Sequence, residues 1–185
     1  LRSNGPSSPQ VALILIDDAS LERYGRWPWK RSLLARVARA ASAAHPRVIG
    51  FDILLSEPED AREDAQLAGA LKDAGNAILV DKISDSLQGK LWVEPLPLFA
   101  KNAAAVGHAQ AVLGPDGICR SVPVRELSLE GPRWAFALEV ARVASGARLE
   151  DNGRELRLGE RGIPVAQTAS RAAIAGAESE LPRFL

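Results

Sequence analysis

Methionine is absent from the chain, and cysteine occurs once, at Cys119. A lone thiol closes no internal disulfide and builds no thiolate metal cluster. Single-cysteine chains are found in the cytosol and the periplasm alike, so the count does not fix a compartment. An excess of charge is also missing. Twenty-three Lys and Arg balance 23 Asp and Glu, and each half of the chain balances by itself. This argues against nucleic acid as a partner, because phosphate binding needs a basic surplus. The longest apolar run, Val11 to Ile16, is far short of the roughly 20 residues of a membrane helix. There is no Gly-rich phosphate loop, no Gly-x-Ser-x-Gly elbow and no His-Glu-x-x-His pair. The opening Leu1-Arg2-Ser3-Asn4, without an initiator Met, gives the expectation of an excised or processed piece.

What is present reads as a soluble globular chain. Its 185 residues are 46% apolar and 25% charged, enough for one domain with a real core. Residues 1–10 read as a linker leading in, residues 11–165 as the domain, and residues 166–185 as a weakly structured Ala-, Ser- and Glu-rich segment, helical or mobile. Val11–Ile16 is continuous rather than alternating, as is Val48–Leu54, and both fit strands buried on two faces. Between them Leu33, Leu34, Val37, Ala38 and Ala41 recur at helical spacing. Asp60 with Glu63 announces a second helix over 61–74, ended by Gly75. Ala77–Val80 follows as a third strand. Gly114-Pro115-Asp116-Gly117 is a turn signal inside a hairpin spanning 106–127. Pro132 sits where a helix should begin. Leu156, Leu158 and Ile163–Val165 read as short strands. The expected fold is therefore α/β, a mainly parallel sheet flanked by helices and extended by an antiparallel hairpin.

Asp17, Asp18 and Asp52 fall at the C-terminal ends of two of these strands, where open α/β sheets bind ligands. Converging carboxylates there could hold Mg²⁺. The plainer alternative is that Asp17 or Asp18 caps the next helix while Asp52 pairs with an Arg. Arg26-Trp27-Pro28-Trp29-Lys30-Arg31 could present a rigid aromatic ledge with cation–π contacts to an anion, a peptide or a flat ligand; it could equally pack as a hydrophobic lid. Glu57, in an acidic run before the second helix, falls at the rim of such a pocket. The candidate ligand-binding set is thus Asp17, Asp18, Trp27, Trp29, Arg31, Asp52 and Glu57, with Arg26 or Arg31 expected beside the three aspartates. His108 either titrates as a switch or satisfies a sheet-edge hydrogen bond. Asp81 comes too late in the chain to be the phosphoacceptor of a receiver domain and lacks that fold's Ser/Thr and Lys partners.

In order and spacing, Ile16-Asp17-Asp18-Ala19-Ser20-Leu21, Gly25-Arg26-Trp27-Pro28-Trp29 with Arg31, Phe51-Asp52-Ile53-Leu54-Leu55-Ser56-Glu57-Pro58, Asp64–Leu71, Val106-Gly107-His108 and Asp116-Gly117-Ile118-Cys119-Arg120-Ser121-Val122-Pro123 resemble the second type of CHASE domain, the cyclase and histidine-kinase associated sensory extracellular domain. The resemblance runs from about residue 11 to residue 143. It departs after Pro164, where the family's Gly-Lys-Ile-Val-like strand does not follow. The resemblance implies a non-catalytic sensor outside the bacterial inner membrane, in the periplasm. Flanking transmembrane helices would lead to a cytoplasmic nucleotide cyclase, diguanylate cyclase or kinase. Its partners would be an unidentified small-molecule or ionic signal and, as the natural coupling unit, a second copy in a homodimer. No cofactor is identified. The competing reading is a metal-dependent hydrolase using Asp17, Asp18 and Asp52.

Overall fold

The structure is a computed structural model that describes residues 10–152 and 155–164, with backbone alone for Arg171–Ile174 and Ala177–Glu180. The expected linker, residues 1–9, and most of residues 166–185 lie outside the described residues. The chain divides into two compact units, Leu1–Lys30 and Arg31–Leu185.

In the first unit, Asp17 starts helix α1 (Asp18–Tyr24) through a reciprocal cap. Its carboxylate accepts from the Ser20 amide at 2.9 Å, and the Ser20 hydroxyl contacts the Asp17 amide at 2.7 Å. This satisfies amides that the first turn leaves without partners. Gly25, at φ +89°, ends the helix and donates to the Leu21 carbonyl. The Trp29 indole then donates to the Gly25 carbonyl at 2.8 Å. Tyr24 and Trp27 meet the Trp29 ring edge-on, with centroids 5.5 and 5.8 Å away. The aromatic ledge is thus a closed loop with Trp29 at its centre, and Trp29 is buried while Trp27 stays 41% exposed.

Val11–Ile16 forms no strand, and its side chains are exposed. A run of six apolar residues specifies a wish for burial but names no ladder partner, and a strand exists only through its partner. The first strand expected from sequence is therefore a correction to the fold.

The second unit is mixed α/β. Helix α2 (Arg31–Ser42) packs on α3 (Ala61–Ala74) through Leu34, Ala35 and Ala38 against Leu67, Ala68 and Leu71, all buried. Asp60 caps α3, accepting from the Arg62 and Glu63 amides. Glu63, expected to complete a box on its own helix, instead accepts from the Ser32 amide at 2.7 Å and so caps α2. Arg31 ties the pair together. It is 3.5 Å from Glu59 and 3.5 Å from Asp64, donates to the Glu57 carbonyl at 3.0 Å, and lies over Phe99 of α4 (Pro97–Ala100).

The parallel part of the sheet has three strands. β1 (Ile49–Phe51) and β4 (Ala105–His108) flank the first half of β2 (Ala77–Ser86). The second half of β2 turns back antiparallel into β3 (Gly89–Val93). The remaining ladders are antiparallel: β5 (Val112–Leu113) with β6 (Cys119–Ser121), β7 (Arg125–Ser128) with β8 (Gly131–Trp134), β9 (Leu149–Asp151) with β10 (Leu156–Leu158) and β11 (Arg161–Ile163), and β12 (Arg171–Ile174) with β13 (Ala177–Glu180). The sheet is therefore not mainly parallel. The hairpin read over 106–127 is also smaller than expected, because His108 belongs to the parallel sheet and Arg125–Ser128 pairs forward with β8. Pro132 sits in β8, and α5 (Phe136–Ser145) begins four residues later. A Pro that suits a helix start suits an edge strand equally.

A second apolar cluster gathers Val124, Ala135, Leu138 and Leu156. The backbone of α5 closes directly on β4. A Cβ placed on Gly107 would meet Phe136 Cα at 2.7 Å and its N at 2.9 Å.

Two substitutions test this frame. Arg31→Met leaves Asp64 buried without its cation and should cost about 3–5 kcal/mol in denaturant unfolding. Gly107→Ala forces the new methyl onto backbone that cannot rotate away and should cost about 1–3 kcal/mol. Gly69→Ala, with nothing within 4 Å of the added Cβ, is the control and should be neutral or stabilising.

Candidate functional site

The residues singled out from sequence fall in two groups. Asp17, Asp18, Trp27 and Trp29 lie in the first unit; Arg31, Asp52 and Glu57 lie in the second. The structure joins Trp27 to Trp29, and Arg31 to the backbone of Glu57. Asp17 is used in the helix cap, and Asp18 is the first residue of α1. Asp52 is exposed just beyond β1. Of the two cations expected beside these aspartates, Arg31 goes to Glu59 and Asp64 instead, because those acids flank the start of the helix on which α2 packs, and among the described residues no salt bridge joins Arg26 to an aspartate. Among the described residues no group of three His, Cys, Asp or Glu side chains is placed to hold a metal.

A different constellation occupies the strand ends. Asp81, at the end of the parallel half of β2, and His108, the last residue of β4, are register partners, so their side chains leave the same face of the sheet. Both are at most 1% exposed. The Arg133 guanidinium of β8 reaches Asp81 at 2.7 Å and also pairs with Glu94, just beyond β3. Trp92 of β3 covers the group. It stacks on His108 with centroids 6.2 Å apart and planes 12° apart, and Arg133 lies 5.4 Å from its ring centre. Trp92 is itself anchored, its indole donating to the Gly131 carbonyl and its amide to Glu130.

The electrostatics follow from burial. One guanidinium serves two carboxylates, and the Asp81 oxygens have no hydrogen bond of good geometry. Loss of water around Asp81, opposed by Arg133 and reinforced by Glu94, raises its pKa from 3.8 to about 6. Burial pushes His108 the other way, from 6.5 down to about 4. The neutral imidazole accepts from the Gln110 amide at Nδ1, 3.3 Å away, which places its proton on Nε2; that atom is buried without a partner. In sequence His108 reads either as a switch or as a sheet-edge residue, and Asp81 reads only as a phosphoacceptor that comes too late; the readable signal for Asp81 is a carboxylate directly following the apolar Ala77–Val80 run.

The chain belongs to the CHASE2 domain family, whose profile matches residues 1–182. This is a family of sensory, non-catalytic extracellular domains of signalling receptors. The match runs beyond the segments that carried the resemblance in sequence. No curated protein and no solved structure matches the chain.

The two shifted groups act oppositely on stability. Asp81, raised to about 6, contributes stability that is fully present below its ordinary value and is lost as pH rises through 6. His108, lowered to about 4, contributes stability that is present above pH 6.5 and is lost as pH falls toward 4. Across that window the two offset each other. Asp81→Asn removes one side, so the variant should melt above the unaltered chain at pH 7.5. The gap should narrow as pH falls below 6 and close only near pH 4, and the variant's own melting temperature should fall steeply on acidification. Thermal unfolding followed by circular dichroism at several pH values checks this.

Proposed function

We propose that this chain is the periplasmic sensory domain of a bacterial transmembrane receptor, relaying an environmental signal to a cytoplasmic cyclase or kinase. The observation that carries the reading is membership of the CHASE2 family over residues 1–182. The strand-end cluster supports it. Its groups are committed to one another, Arg133 to two carboxylates and Trp92 to His108, in a form that responds to a change of charge rather than one that attacks a substrate. Among the described residues no helix is long and apolar enough to cross a membrane, so in this reading the membrane segments come from flanking sequence. As binding residues for a small-molecule or ionic signal the proposal keeps Asp17, Asp18, Trp27 and Trp29 in the first unit and, separately, Arg31, Asp52 and Glu57 in the second.

Replacement of residues 11–165 by an unrelated periplasmic domain in the full-length receptor tests the role. Basal output should persist and stimulus-dependent change of output should vanish. Location is tested separately with reporter fusions after residue 165. Alkaline phosphatase, active only outside the cytoplasm, should be active there, and β-galactosidase should not. The reverse pattern overturns the extracytoplasmic placement.

A further inference from the structure

Arg133 is the one cation in the strand-end cluster, and it faces two carboxylates in unlike surroundings. Asp81 is fully buried, whereas the Glu94 side chain is 48% exposed. Two acids sharing one base leave a surplus negative charge, and the poorly solvated partner is the one that takes up a proton. Trp92 and His108 seal the buried side, so no solvent cation substitutes for Arg133 there. The charged groups on the other neighbouring elements do not relieve the imbalance: on β7 the buried Glu126, opposite Arg133 in the hairpin register, adds a carboxylate, and Glu130 in the turn accepts from the Trp92 amide. On α5, packed against β2 and β4, Glu139 is closed on Arg142 at 2.7 Å. β1 carries no ionisable side chain within Ile49–Phe51, and Asp52 beyond it is exposed. Lys82, next along β2, is exposed. What reaches Asp81 is His108 from β4, Arg133 from β8 and Glu94 from the end of β3.

We propose that the proton is a ligand of this domain: protonation of Asp81 releases Arg133 from β2 to Glu94 alone and removes the ionic tie between the β7–β8 hairpin and β2, leaving the hairpin held through Trp92 and the His108–Ala135 bridge. The upward shift of Asp81 places the event near neutrality, with a midpoint of about 6. The sheet ladder survives it, because Ala109 still donates to the Asp81 carbonyl at 3.0 Å. What changes partners is the Arg133 side chain on β8, the strand that leads through Ala135 directly into α5. The inference rests on the sensory reading only for its biological meaning, since the titration belongs to the domain itself.

The indole N–H signal of Trp92, identified by its loss in Trp92→Phe, reports the event in ¹H–¹⁵N spectra of the 185-residue chain. Between pH 8 and pH 5 it should move through one midpoint near 6, above the range in which His108 titrates. In Asp81→Asn it should rest at the acid position throughout. In Glu94→Gln the midpoint should fall, because a competitor for Arg133 and a repelling charge are both gone; this variant carries the test if Asp81→Asn does not fold. A signal that stays still over this range, a midpoint that survives Asp81→Asn, or one that Glu94→Gln leaves in place overturns the proposal. None of these outcomes affects the sensory reading, which the domain-replacement experiment decides separately.

Discussion

The ion pair between Asp81 and Arg133 is where the two halves of the second unit meet. β2 is parallel to its neighbours up to Asp81 and antiparallel to β3 beyond it. A charged side chain at that junction, drawn out of water, has to be met from elsewhere in the fold, and β8 meets it from more than 50 positions away. Around that contact the β7–β8 hairpin is also held by Trp92, through Gly131 and Glu130, and by the bridge of Ala135 to His108 at the entry to α5. Burying a carboxylate with half a share of a guanidinium is costly. It marks a place where the fold keeps charge in spite of stability.

Arg31 shows the contrasting use of a buried cation. It contacts Glu59, Asp64 and the Glu57 carbonyl, and Phe99 lies against it. Its neighbours come from the first turn of α3, the loop before it and α4, so it acts as a clasp for packed helices. The acidic run before α3, which in sequence looked like a solvated helix start or the rim of a pocket, supplies the acids for that clasp.

Local signals in the sequence translated well. The span of α3, its Asp60 cap and Gly75 stop, the helix beginning near Ser32, and the strands at Leu156–Leu158 and Ile163 were all legible, because each depends on residues within one or two turns of one another. Pairing was not. Val11–Ile16 and Val48–Leu54 look alike as runs, yet only part of the second enters a ladder. His108, read as one arm of a hairpin, sits instead beside Asp81. Apolar periodicity says that a segment is to be covered, and the choice of cover is made by distant contacts. The same holds for the site. Arg133, Trp92 and Glu94 are unremarkable in sequence, and they become a cluster only because β3 and β8 converge on the ends of β2 and β4.

The absence of a side chain at Gly107 has a mechanical consequence. With the backbone of Phe136 resting where a methyl group would stand, β4 and α5 have no soft layer between them and cannot slide past each other by repacking side chains. Gly50 of β1 differs, since what stands over it is the Phe136 ring, a side chain. A shift of β4 therefore reaches the first turn of α5 through backbone contact rather than through side chains.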